Sequence, residues 1–191
     1  PTKSEQADLN MALYGLHGDA PHLVLGALDH ADCILTAEWS VRLAEALQTV
    51  AVLLTDQNLA QSRVLIPAPA YRLPEIAPRL RAEPPEPVDP AMPYQRYALT
   101  ASGVSPMAIP GTPSCTYVAE GLEHNERGKP SSAAADHQAQ LDKRLRKITG
   151  FDFGDGWADI RGAGATAILT WGSSTAAARE AAERLRARGR D

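Results

Sequence analysis

The chain has 191 residues, of which 44% are hydrophobic and 22% charged, with a net charge of −4; this is the balance of an ordinary globular protein holding one domain or parts of two. It excludes fibrous and low-complexity classes, and no apolar run approaches the roughly eighteen residues of a membrane span, so no membrane association is expected. Residues 1–95 carry 6 Lys/Arg against 12 Asp/Glu and residues 96–191 carry 13 against 11, so neither half reads as a nucleic-acid binder.

In chain order, Ala7 to Tyr14 reads as a short helix with Ser4 as a possible N-cap. Gly15, Gly18 and Pro21 end it. His22 to Leu28 is a strand-length apolar run, and Ala31 to Leu47 has helical spacing, with Asp29 or Asp32 placed to cap it. Thr49 to Leu54 is too continuously apolar to alternate, as expected of a strand buried on both faces of a parallel sheet. Together these form a βαβ unit. Asp56 and Gln57 follow its second strand, at the edge where open parallel sheets bind ligands; the plainer reading is that Asp56 caps a helix running through Ser62.

From Pro67 to Pro93 lie nine of the chain's fifteen prolines, a density that leaves no regular element. This is an extended connector, with Tyr71, Leu73, Ile76 and Leu80 as anchors to a surface. Tyr94 to Leu99 reads as a turn. Gly103 to Pro130 is rich in Pro and Gly at its start and polar at its end, and reads as a structural strap. Apolar cover is expected at Val104, Ile109, Tyr117 and Leu122, and fraying at Asn125 to Ser132.

Ser132 to Lys147 reads as a helix whose apolar stripe is Leu141, Leu145 and Ile148, with Gly150 as its stop. Its basic cluster, Lys143 to Lys147, and that of Arg179 to Arg190 are expected on solvated helix faces. Phe151 to Gly164 reads as a loop, Ala165 to Trp171 as a strand, and Ala176 to Arg188 as a helix ending at Gly189. A single βα unit cannot bury both faces, and Pro1 is not a natural start, so the segment is expected to come from a longer chain.

Several residues invite a chemical reading. Gly154-Asp155-Gly156 has the form that opens a magnesium–diphosphate site, but the asparagine that completes it downstream is absent, and a turn explains it better. Gly172 to Thr175 stands between a strand and a helix, where backbone N–H groups could cradle an anion or Ser173 and Ser174 could cap the helix. His17, in a glycine-flanked turn, could reach a carboxylate. Glu123 and His124 could be an acid/base pair, although neighbouring side chains point apart and a solvent turn or structural hydrogen bonding fits better. Cys33 and Cys115 are far apart, with no CxxC spacing; they read as small, mostly buried side chains in a reducing, cytoplasmic setting. No Ser/His/Asp spacing, Walker loop or HExxH is present.

Seven stretches, in one order, resemble the alpha subunit of 2-oxoacid:ferredoxin (acceptor) oxidoreductases, with the 2-oxoglutarate type most similar: PTKSEQADL at 1–9, GLHGDAP at 15–21, LLTDQNLA at 53–60, GVSPMAIPGTP at 103–113, GLEHNERGKP at 121–130, DKRLRKI at 142–148 and TWGSSTAAAREA at 170–181. The resemblance implies an α/β fold: residues 1–66 as the carboxyl-terminal part of a pyrimidine-type thiamine-binding domain, 67–163 as Pro-rich connector and inter-domain strap, and 164–191 as the first βα unit of a transketolase carboxyl-domain-like fold. It implies oxidative decarboxylation of a 2-oxoacid such as 2-oxoglutarate to an acyl-CoA, with electrons passed to ferredoxin. Thiamine diphosphate with magnesium, and an iron–sulfur cluster, are expected mainly on the beta subunit, the partner; coenzyme A is the co-substrate.

The upstream part of that domain, with its glutamate to the aminopyrimidine, is not in this sequence, so the piece alone is expected to be inactive. In related pyruvate enzymes a substrate-carboxylate arginine lies near the turn after the first helix; here the nearest candidate for substrate binding is His17. Ser114 and Cys115 replace the family's usual glycine pair. Catalytic residues are not assigned. Two other readings stand beside this one: a non-catalytic subunit-interaction module, and a small-molecule-binding α/β domain using the sheet edge at Asp56 and Gln57.

Overall fold

A computed structural model describes residues 3–67, 75–84 and 93–190. The elements are α1 (Ala7–Tyr14), β1 (Leu23–Gly26), α2 (His30–Leu47), β2 (Ala51–Leu54), α3 (Gln57–Gln61), α4 (Ala134–Thr149), a short 3-10 turn (Asp155–Trp157) and α5 (Ser174–Arg186). β1 and β2 pair in parallel, Leu23 opposite Ala51 and Gly26 opposite Leu54, with α2 as the crossover.

α2 begins where Asp29 accepts a hydrogen bond from the Asp32 N–H at 3.0 Å, satisfying one of the free donors of the first turn. Of the two expected caps Asp29 is the one used; Asp32, inside the first turn, accepts from the Leu28 N–H at 2.8 Å and the Thr36 hydroxyl at 3.1 Å. Ser4 is not a cap: α1 has no side-chain cap, and the Ser4 hydroxyl instead accepts from the Gln57 N–H at 3.0 Å. His22 holds α1 to the sheet through its ring, which donates to the Ala12 carbonyl at 2.6 Å.

The core is small. Leu23, Leu43 and Leu47 are buried, and Leu25, Trp39, Ile76, Val104, Ile148, Phe151 and Phe153 pack around them. The residues of β2 are half-buried, not covered on both faces as the apolar run suggests, because the described sheet has two strands. The expected strand at Ala165 to Trp171 is absent: these residues have no ladder, and Ile168 and Leu169 are exposed. Just past them, the Gly172 N–H donates to the carbonyl of Ala27, one residue beyond β1, at 2.7 Å.

Of the connector anchors, Tyr71 and Leu73 lie outside the described residues. Ile76 packs on the core as expected. Leu80 works through its backbone, its carbonyl accepting from the Met107 N–H at 2.9 Å while Ala82 donates to the Met107 carbonyl at 3.0 Å. This ties the connector to the strap. Tyr94 adds a second tie, donating to the Pro106 carbonyl at 2.6 Å and accepting from the Ala108 N–H at 2.9 Å.

Within the strap Val104 finds cover, but Ile109 and Leu122 are exposed. The tip is not frayed. Asn125 donates to the Lys129 carbonyl, Gly128 to that of Asn125 and Ser131 to that of Glu123, at 3.0, 3.0 and 2.9 Å, and the Asn125 side chain accepts from the N–H groups of Arg127 and Lys129. Asparagine thereby builds the turn from its own amide oxygen. Ser114 adopts φ +59°, a left-handed conformation that glycine takes freely and serine at a cost.

Candidate functional site

The strands end at Gly26 and Leu54, and beyond this edge the chain assembles a clip from distant pieces. Asp56 Oδ1 accepts from the Leu59 N–H at 2.9 Å, capping α3, and Oδ2 accepts from the Ser173 N–H at 2.6 Å, at the start of α5. Burial pushes this carboxyl upward, but the donors from Ser173 and Leu59 outweigh it and hold Asp56 below its ordinary value. Gly26 leaves room for Trp171, since a Cβ there would sit 2.8 Å from the indole Cγ. Gly172, at φ +67°, passes directly against the Asp56 carboxylate.

This resolves the Gly172 to Thr175 turn. The donor at its helix start is occupied by the chain's own Asp56, and neither Ser173 nor Ser174 caps α5 with its side chain; Ser174 donates to the Trp171 carbonyl at 2.8 Å. At the same sheet edge Asp56 is engaged by Leu59 and Ser173, and the Gln57 N–H by Ser4.

The second cluster lies where the strap meets α4. Glu123 is held by Arg144 through two bonds at 2.8 and 3.1 Å, and by His137, whose Nδ1 donates to Oε2 at 2.6 Å. The Arg144 guanidinium is the main reason the Glu123 carboxyl lies at about 2, with burial opposing and His137 assisting. His124 is buried, not in a solvent turn. Its ring stacks on Tyr97 at 3.8 Å between centroids, and Nδ1 donates to the Asn125 carbonyl at 3.1 Å. The two do not form an acid/base pair: Glu123 accepts the His124 backbone N–H at 3.2 Å, and their side chains serve different partners.

Only part of the apolar stripe of α4 is covered: Ile148 packs on the core and Leu141 is half-buried. The buried residues of α4 are Gln140 and Lys143, while Leu145 is exposed. Gln140 and Lys143 both donate to the Tyr97 carbonyl, at 3.2 and 2.9 Å, and Lys147 donates to the Gln48 carbonyl at 3.0 Å. The basic run is therefore a packed face. Burial, then repulsion from Lys147, Arg96 and Arg144, lowers the Lys143 ammonium to about 7; burial, then Arg144 and Arg96, lowers Lys147 to about 8. The one signal in the sequence is the spacing of 140, 143 and 147, which places three polar side chains on one face.

Gln48 is the hinge of this arrangement and had no sequence signal beyond its position after α2. It takes φ +48° as the C-cap, its amide donates to the Ser105 carbonyl at 2.8 Å, and its amide oxygen accepts from Arg96 at 2.7 Å. Helix α2, the strap and α4 thus meet at one residue.

His17 lies exposed in the turn after α1, with no hydrogen bond or ion pair to another described residue. Cys115 is buried, as expected, and Cys33 is half-buried; burial and the nearby Asp32 and Asp29 raise the Cys33 thiol. Among the described residues no group of three or more His, Cys, Asp or Glu side chains could hold a metal ion, and Asp155 is exposed in its short turn. These residues do not make a magnesium–diphosphate or iron–sulfur donor set.

No family model matches the chain. It is 36% identical over 193 residues to the 2-oxoglutarate oxidoreductase subunit KorA of Mycobacterium tuberculosis, covering 99% of this chain and 28% of that protein. It is 32% identical over 195 residues to the 2-oxoacid:ferredoxin oxidoreductase 1 alpha subunit of Sulfurisphaera tokodaii, covering 96% and 29%. The fold matches that of the 2-oxoglutarate:ferredoxin oxidoreductase of Magnetococcus marinus, with a TM-score of 0.79 and 37% identity, over 100% of this chain and 33% of that one. The chain thus spans less than a third of the length of the curated relatives named here. Over nearly all of its own length, the chain is similar to alpha subunits of the 2-oxoacid:ferredoxin oxidoreductases.

Proposed function

We propose that this chain works as part of the alpha subunit of a 2-oxoacid:ferredoxin oxidoreductase, with 2-oxoglutarate as the substrate, converting it to an acyl-CoA and passing the electrons to ferredoxin. The observation that carries this is the collinear match to the Mycobacterium tuberculosis subunit; the Magnetococcus marinus structure, described with 2-oxoglutarate, coenzyme A and succinyl-CoA bound, supports the substrate class. Its division is residues 1–66 as the end of a pyrimidine-type thiamine-binding domain, 67–163 as connector and strap, and 164–191 as the start of a transketolase carboxyl-domain-like fold. The enzyme is cytoplasmic.

Asp56 and Glu123 tie distant segments of the chain together, which supports a role as scaffold and subunit interface. Thiamine diphosphate with magnesium, and an iron–sulfur cluster, are completed on a beta subunit, and the exposed turn at His17 faces the substrate side. The test is turnover of the full-length complex with 2-oxoglutarate, coenzyme A and a ferredoxin-type acceptor. Removing α1 with residues 15–21 abolishes turnover on this reading; full turnover after that deletion would sink it.

A further inference from the structure

The cleft between the strap and α4 has a volume of about 150 Å³, room for a small ion with some water, since one water occupies roughly 30 Å³ in the liquid. Arg96, Lys143, Arg144 and Lys147 all line it, and none of its described lining residues is acidic. Among the described residues, the salt bridges of these four cations are confined to Arg144 with Glu123.

The other three have only neutral oxygens as hydrogen-bond partners: Lys143 the Tyr97 carbonyl, Lys147 the Gln48 carbonyl and Arg96 the Gln48 side chain. An ammonium has three donors and a guanidinium five, so each retains N–H groups beyond those bonds. Arg96 also lies over the Tyr97 and Tyr117 rings and Lys143 over the Tyr97 ring, but gathering cations without a carboxylate partner in a half-closed space still favours an anion joining them. The platform is fixed, because Lys143 is buried and Gly103 is pressed onto the α4 backbone, where a Cβ would come within 2.6 Å of the Lys143 carbonyl oxygen.

We infer that this cleft is a binding site for a phosphate-sized oxyanion, held by the remaining donors of Lys143, Lys147 and Arg96. The anion supplies the negative charge that the lining lacks and locks the strap to α4. Burial and mutual repulsion lower the Lys143 and Lys147 ammonium groups, and a bound dianion would raise both. The oxyanion has two possible sources, free phosphate or a phosphate monoester on a larger molecule.

The experiment uses the full-length chain carrying these residues. Thermal unfolding is followed with inorganic phosphate, with adenosine monophosphate, and with sodium chloride at matched ionic strength. A saturable rise of a few degrees with phosphate alone assigns a free ion; the same rise with the monoester assigns an ester-borne group. Either rise should vanish in Lys143→Met and Lys147→Met. Because those variants could lose structure, the unsubstituted protein is also crystallised and soaked in selenate. An anomalous peak within hydrogen-bond reach of Lys143 Nζ or Lys147 Nζ supports the site. A cleft without that peak at saturating selenate overturns it, as does a phosphate response equal to that of chloride.

Discussion

Asp56 Oδ2 accepts the Ser173 N–H at 2.6 Å across 117 residues of chain, and the same carboxylate caps α3 through Leu59. One side chain therefore closes the carboxyl edge of the sheet onto the start of the last helix, where the helix dipole favours a negative charge. Asp56→Ala should destabilise the full-length chain by about 1–2 kcal/mol, the usual worth of a lost cap, measured by urea unfolding. Asp56→Asn keeps an acceptor and should cost less. An unchanged midpoint in the alanine variant would show that the clip contributes nothing.

Glu123 links the strap to α4 through Arg144 and His137, and its carboxyl lies at about 2 against an ordinary 4.5. A depressed carboxyl contributes stability above the unfolded value and loses it as pH falls through the folded one. The loss should run from about pH 4.5 down to about pH 2, amounting to roughly 2 kcal/mol. Denaturant melts across that window should show the slope in the parent and a much flatter one in Glu123→Gln.

Lys143 and Lys147 give a slope at the other end. Their folded values, about 7 and 8 against 10.5, mean that between those limits the unfolded chain binds protons the folded chain has released. Stability should therefore rise with pH from about 7 to about 10 in phosphate-free buffer, by about 1–3 kcal/mol. Lys143→Met should remove much of that rise. Parallel melts at pH 7 and pH 10 that agree in the parent would contradict the burial of these ammonium groups.

Gly103 combines φ +78° with contact against α4. Gly103→Ala meets both the left-handed conformational cost and a backbone clash, so a loss of about 2 kcal/mol or more is expected. Hydrogen exchange should localise the damage to residues 96–105 and α4, leaving β1 and β2 protected. Uniform loss of protection would mean that the strap and the sheet unfold as one unit.

Leu43 is 1% exposed at the centre of a small core. Leu43→Ala should cost about 3 kcal/mol, the transfer term plus a cavity with few neighbours to refill it. Calorimetry of the full-length chain reads this directly.

Local signals in the amino-acid order were enough to place α1, β1, α2, β2, α4 and α5, because apolar spacing, Asp29 and the glycines act within a few residues of themselves. The family order of motifs was legible for the same reason, each motif being short and contiguous. What the tertiary structure alone decided is everything set by partners far away in the chain. Ala165 to Trp171 has strand composition yet forms no strand, since a strand is completed only by a neighbour's ladder. Lys143 has the composition of a solvated face yet is buried, since the Tyr97 carbonyl and the strap supply what water would have given. Asp56 could be read as a cap from its position, but its hold on Ser173 could not, because no local rule encodes which distant N–H a fold will bring within 2.6 Å.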